Sequence, residues 1–432
     1  MAELLFKNVS KQYPGGGKAV HDLSLRVQSG EFFVLLGPAG SGKSTLLRMA
    51  AGLEDVTAGE LYLDGKLQND VPAKERNVAM VFRQSELFAQ QTVAENIAYG
   101  LKLRKFPAEL IEERVKAAAE ILGLTDLLSR RPKTLSGSER QRVVLARTVV
   151  REPALCLFDD PLASFDARLR AELRTLLSKL QARLKTTYLY ATDDPLEAMM
   201  LGTRIAVLRN GFLQQADTPQ NLYDYPANLF VATAIGAPQI NLFRARLCRE
   251  GEKTAVVLPC GAKILLPGAT AARLKDAAAY ADTDRPVVFG IRAEDVHGEE
   301  LFLSSSPDTA FRARVISVEP QGAETFAVCD LDLSAESASV TAGATQLSVR
   351  LSPRAAVKCG DVLDLAFDAR HVQLFDAETE RSLLVRDEKY EAIPAYAEEA
   401  DMLPPTPQEM REAEEAAKPA KPQKGRKPHG GR

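Results

Sequence analysis

The sequence predicts an α/β P-loop domain, then a small all-β domain, then a tail without order. Three observations carry this. Residues 37–44 spell Gly37-Pro-Ala-Gly-Ser-Gly-Lys-Ser44, a complete phosphate-binding loop. Up to about residue 235, short apolar runs alternate with amphipathic helical stretches, the pattern of an α/β fold. From about 240 to 375 the texture changes to short strand candidates separated by Gly, Pro and Asp turns, as in a barrel or sandwich.

Each element follows from its residues. Residues 31–36 (Glu-Phe-Phe-Val-Leu-Leu) form a short apolar strand that feeds the loop, and residues 45–51 begin a helix whose N-terminus favours an anion. Gly37, Gly40 and Gly42 let consecutive backbone N–H groups turn inward around a phosphate. Pro38, Ala39, Ser41 and Thr45 complete the cradle. Lys43 supplies a point charge for the outer phosphates, and the Ser44 hydroxyl suits Mg²⁺. Residues 93–130, rich in Ala, Leu, Glu and Lys, read as helical, within a helical subdomain spanning about 84–150. Residues 155–158 form an apolar strand ending in Asp159, a carboxylate suited to holding Mg²⁺ through water opposite the loop. Strand candidates at 285–291, 311–318, 347–351 and 362–367 build the β domain, 236–378. From 379 the chain turns to Glu and Ala, then to a basic, Pro/Gly-rich run that cannot offset its ordering entropy. A solvated tail over 379–432 is the expectation, with contact to an anionic surface as its alternative.

Composition narrows the function. The 432 residues carry a formal net charge of −3 with 45% hydrophobic residues, which fits a globular chain and gives no sign of a nucleic-acid partner. Five scattered cysteines without a C-x-x-C pair read as buried thiols in a reducing compartment. No apolar run approaches 18 residues, and the N-terminus lacks the layout of a signal peptide, so membrane association is expected to go through a partner.

Between the loop and Asp159 lies Leu135-Ser-Gly-Ser-Glu-Arg-Gln-Arg142. With that segment the chain resembles the ATP-binding cassette (ABC) transporter ATPases, most nearly the maltose and glycerol-phosphate type of sugar importer, over roughly residues 3–376. The segments at 9–13, 51–55, 92–96 and 223–226 are similar to that group's phrasing, as are 290–295 and 320–325 in the β region. The resemblance implies that Tyr13 stacks on adenine and that the β domain is an appended OB-like, TOBE-type regulatory barrel. It also implies a head-to-tail dimer with a second ABC subunit, in which Ser136, Gly137 and Ser138 reach the partner's ATP. Integral-membrane permease subunits would meet the helical stretch, an extracytoplasmic solute-binding protein would act indirectly, and the protein would sit on the cytoplasmic face of the membrane.

The chain departs from that family at four motifs. Where the family places a glutamine after the Met80-Val-Phe82 strand, Arg83 stands here, with Gln84 one place on. The signature ends in Ser138 and Glu139 rather than Gly and Gln; Ser138 is tolerable if its φ is negative, while Glu139 puts a negative charge near the partner's phosphate. The glutamate after Asp159 is Asp160, shorter in reach by ~1.5 Å. The switch histidine after Thr192 is Asp193. Arg83 and Asp193 are expected to pair and hide both charges. Two functions follow. One is an ATP-hydrolysing importer subunit with Asp160 as the base and Lys43 stabilising the γ-phosphate. The other is an ATP-binding but catalytically weak partner or regulator in a mixed dimer. The four changes predict slow or absent turnover, with binding better kept because Tyr13, Lys43, Ser44 and Asp159 remain.

Overall fold

The computed structural model describes residues 2–84, 86–281, 283, 285–333, 345–386 and 404–417. Its N-terminal half is built on two sheets. β1 (Leu4–Gln12), β2 (Lys18–Val27), β4 (Ala58–Leu63) and β5 (Lys66–Leu67) form an antiparallel sheet in the order β2-β1-β4-β5. β3 (Phe32–Leu36), β6 (Val78–Val81), β7 (Leu155–Asp159), β8 (Thr187–Thr192), β9 (Arg204–Arg209) and β10 (Phe212–Asp217) form a second sheet in the order β10-β9-β3-β8-β7-β6. Its first five strands in sequence are parallel, and β10 closes the edge as an antiparallel hairpin with β9. Both faces of a parallel sheet are covered, so β3, β7 and β8 read as continuous apolar runs and are buried at every position.

Helix α1 (Lys43–Ala51) fills the space between the sheets, with Leu46, Leu47 and Met49 packed among Leu4, Phe6, Phe33 and Leu35. Arg76, 5% exposed, crosses its C-terminus and donates to the carbonyls of Met49 (2.6 Å), Val71 (2.7 Å) and Gln68 (2.7 Å). Cationic hydrogen bonds to terminal carbonyls satisfy groups the helix itself cannot. Between β6 and β7 come α2 (Val93–Leu103), α3 (Ala108–Leu122) and α4 (Gly137–Val149). Their apolar faces share one core with the other side of the parallel sheet, through Ile97, Leu101, Leu122 and Val144.

The C-terminal half is two five-stranded antiparallel sheets around one core containing Phe243, Phe289, Phe367 and Leu374. The strand Asn241–Glu250 shows the alternation of buried and open residues that a one-face-covered strand requires. Arg292 joins the halves: its guanidinium lies 3.4 Å from the Tyr223 ring centroid and donates to the carbonyls of Ile235 (3.0 Å) and Tyr223 (2.8 Å).

Part of the stretch beyond 379 is folded. Leu383 N–H donates to Leu374 O (2.8 Å) and Val385 N–H to Arg273 O (2.8 Å), which adds the chain to the β domain. The helix Pro407–Ala416 starts with a capping box, Thr406 Oγ1 accepting from Glu409 N–H and the Glu409 carboxylate accepting from Thr406 N–H. Its Met410 is buried against Gln214 of β10, and Arg381 donates to Pro404 O (3.2 Å). Composition alone underweights this helix, because a cap and one buried methionine outweigh the low apolar content around them. The basic run 418–432 lies outside the described residues. Among the described residues no helix is long and apolar enough to cross a membrane.

Candidate functional site

The phosphate loop leaves β3 at Leu36 and enters α1 at Lys43. A Cβ on Gly37 would sit 2.3 Å from Leu208 O, and Gly42 has φ +100° with Ala19 O 2.8 Å from where a Cβ would be. Both positions therefore require glycine. Gly42 caps α1 without any side-chain hydrogen bond, so the first N–H groups of the helix have no acceptor from a cap. Lys43 folds back to donate to Gly37 O (2.6 Å) and Pro38 O (2.9 Å). Burial pushes its ammonium below the usual lysine range, and the carboxylates of Asp193, Asp160 and Asp159 oppose that shift. An uncapped helix N-terminus beside a desolvated cation fits a bound polyphosphate. Ser44 Oγ donates to Asp159 Oδ1 at 2.6 Å. A hydroxyl and a carboxylate together are the hard oxygen donors that Mg²⁺ prefers.

The acids beyond β7 and β8 lie at the same end of the sheet. Asp159 is buried at the end of β7. Asp160 follows in a left-handed conformation (φ +48°), its N–H donating to Ala191 O at 2.9 Å. Burial and the charge of Asp193 raise its carboxyl above the usual range, against Arg83 and Lys43. Asp193 is exposed, after the last residue of β8. The expected Arg83–Asp193 pair does not form. Arg83 Nε instead lies 3.5 Å from Asp160 Oδ2. Strand order explains the difference: β7 lies between β6 and β8, so a residue just past β6 meets the end of β7 first.

Tyr13 is half-buried beside the loop, with its hydroxyl 3.4 Å from Thr45 Oγ1 and the Lys11 ammonium 5.1 Å from its ring centroid. The signature residues open α4. Ser136 is the N-cap, accepting from Glu139 N–H (3.2 Å), while the Glu139 carboxylate accepts from Ser136 N–H (2.7 Å). Glu139 is thus a capping residue, held below the usual carboxylate range chiefly by the Ser136 backbone. Ser138 is helical, in the first turn of α4, so its φ is negative.

Two contacts were not anticipated from the sequence. Gln141 donates to Pro161 O (3.4 Å), tying the signature helix to the loop after Asp160. Glu197, 2% exposed, accepts from Tyr190 Oη (2.9 Å) and Thr192 Oγ1 (3.1 Å), and Thr192 in turn accepts from Asp194 N–H (3.1 Å). That network fixes the turn carrying Asp193. The S-x-x-E spacing of 136–139 was a readable signal for the cap; strand adjacency had none.

An uncapped loop–helix anion site, a hydroxyl–carboxylate pair and an appended β domain define a P-loop nucleotide-binding protein with an added C-terminal domain. Family models agree in order along the chain: ABC transporter over residues 20–163, MalK OB fold domain over 236–296 and TOBE domain over 289–375. The chain is 39% identical over 380 residues to the oligosaccharides import ATP-binding protein MsmX of Bacillus subtilis, covering 88% of this chain and 99% of that one. It is 39% identical over 384 residues to the sn-glycerol-3-phosphate import ATP-binding protein UgpC of Psychromonas ingrahamii (89% and 96% covered). It is 41% identical over 387 residues to the uncharacterized ABC transporter ATP-binding protein YurJ of B. subtilis (89% and 100%). The chain belongs to the ATP-binding subunits of ABC transporters.

Proposed function

We propose that this chain is the ATP-binding subunit of a sugar or sugar-phosphate importer, working with slow hydrolysis. The carrying observation is the loop itself: an uncapped α1, a desolvated Lys43, and Ser44 bonded to Asp159. The names of the importer relatives support the sugar class. In this reading residues 37–45 hold the phosphates, Tyr13 stacks on adenine, and Lys43 stabilises charge on the γ-phosphate. Ser44 and, through water, Asp159 would hold Mg²⁺. Bound Mg²⁺ would neutralise charge on the phosphate oxygens. Asp160 polarises the attacking water. Ser136, Gly137 and Ser138 act across a dimer on the ATP held by a second ABC subunit. Permease subunits would anchor the protein to the cytoplasmic face of the membrane, with a solute-binding protein acting through them.

A second reading, a catalytically weak subunit paired with a competent cassette, is favoured by Asp160 being engaged by Arg83 and flanked by Asp193. Calorimetry of ATP binding beside steady-state MgATPase activity, with Lys43→Ala as control, separates the two. Turnover lost with Lys43→Ala supports the working importer subunit. Tight binding without turnover supports the asymmetric pair, and absence of binding would refute both.

A further inference from the structure

Three carboxylates, Asp193, Asp160 and Asp159, act on Lys43, and Arg83 adds a second positive charge acting on it. Where the family resemblance places a neutral glutamine and a histidine, this chain has Arg83 and Asp193. A side-chain donor thus stands at the end of β6, beside Asp160, rather than at the end of β8, and it now carries a permanent charge. Its present contact is loose: Arg83 is 65% exposed and meets Asp160 through one nitrogen at 3.5 Å. A guanidinium matches a phosphate bidentately, and such charge-assisted pairs are shorter and stronger than a single long contact to a carboxylate.

We propose that Arg83 reads the terminal phosphate of the bound nucleotide, exchanging its contact with Asp160 for the γ-phosphate and releasing Asp160. This rests on the nucleotide-site reading above. A triphosphate seated at Lys43 brings its terminal group among Asp160 and Asp193, where it needs a cation that a diphosphate does not. Arg83 is thus a discriminator of ATP from ADP, and the Asp160 carboxylate is held by arginine until a terminal phosphate is present.

The test is calorimetric titration of the full chain with ATP and separately with ADP, with and without Mg²⁺. It compares the parent protein with Arg83→Gln and Arg83→Lys. Arg83→Gln should lower ATP affinity by at least about tenfold, the loss of one charged hydrogen bond, and leave ADP affinity unchanged. Arg83→Lys should restore part of the loss, because it keeps the charge but not the fork. Unchanged ADP binding also reports an intact fold. An ATP-to-ADP preference that is the same in the parent and Arg83→Gln overturns the proposal while leaving the nucleotide site standing. Failure of the parent to bind either nucleotide overturns both.

Discussion

Replacing Asp160 by glutamate and Asp193 by histidine together should raise MgATP turnover by about 10²-fold. The first change extends the carboxylate by one methylene, ~1.5 Å, from a backbone fixed by the Asp160 N–H···O Ala191 bond. Misplacement of about 1 Å costs on the order of 10²-fold in rate, so restored reach should return a gain of that order. The second change removes a negative charge that acts on both Lys43 and Asp160. A hydrogen-bond donor then stands where a carboxylate repelled phosphate. One effect opposes the first. Asp160 has φ +48°, and glutamate tolerates that region less well than aspartate, at a cost of roughly 1 kcal/mol in stability. A gain of 10² corresponds to about 2.7 kcal/mol in the barrier, so the rate effect should dominate while the melting temperature falls slightly. Phosphate release at saturating MgATP measures it, with each single variant alongside. Asp160→Glu alone should act mainly on kcat and Asp193→His mainly on KM. Unchanged turnover in the double variant, with ATP binding intact by calorimetry, would refute the reasoning and move the limit to the signature or dimer closure.

Three further outcomes follow from single residues. Arg76→Ala should destabilise the cassette by about 3 kcal/mol in urea unfolding, because it removes the charged hydrogen bonds that tie the end of α1 at Met49 O to the Gln68 and Val71 carbonyls. Ser44→Ala should weaken ATP binding about tenfold in the presence of Mg²⁺ and little in its absence, measured by paired titrations with and without the metal. Asp376→Asn tests pH linkage: burial alone would raise this carboxyl, but Thr379, Tyr280 and Arg285 overcome it and hold it below the usual range. A depressed folded pKa gives stability that is present above the unfolded value and lost as pH falls through the folded one. The stability gap between parent and variant should be full at neutral pH and shrink below about pH 4 in unfolding curves.

What the sequence revealed of this site divides along a physical line. The phosphate loop was legible because its chemistry needs particular residues at fixed spacing along the chain, and β7 was legible because burial on both faces demands an uninterrupted apolar run. The change to the β domain showed as a change of period, which any one-face-covered strand writes into its residues. Glu139 carried a second readable signal besides its charge: S-x-x-E is a capping box, and its carboxylate closes one with Ser136 at the start of α4. The helix Pro407–Ala416 was missed because composition averages away a cap and a single buried Met410.

Arg83 is a different kind of failure. Its partner depends on which strand lies next to β6, and adjacency in a parallel sheet is set by how crossovers pack rather than by any local pattern. Pairing Arg83 with Asp193 assumed that opposite charges introduced together must meet. The sheet instead puts β7 between them, so the arginine engages the acid expected to act as base and leaves Asp193 exposed. That arrangement changes what the substitutions mean. An Arg83–Asp193 pair would have neutralised two oddities and left Asp160 alone. An Arg83–Asp160 contact ties the unusual cation to the shortened base, so the two departures are one feature of the site, and a variant that alters either should be read through its effect on the other.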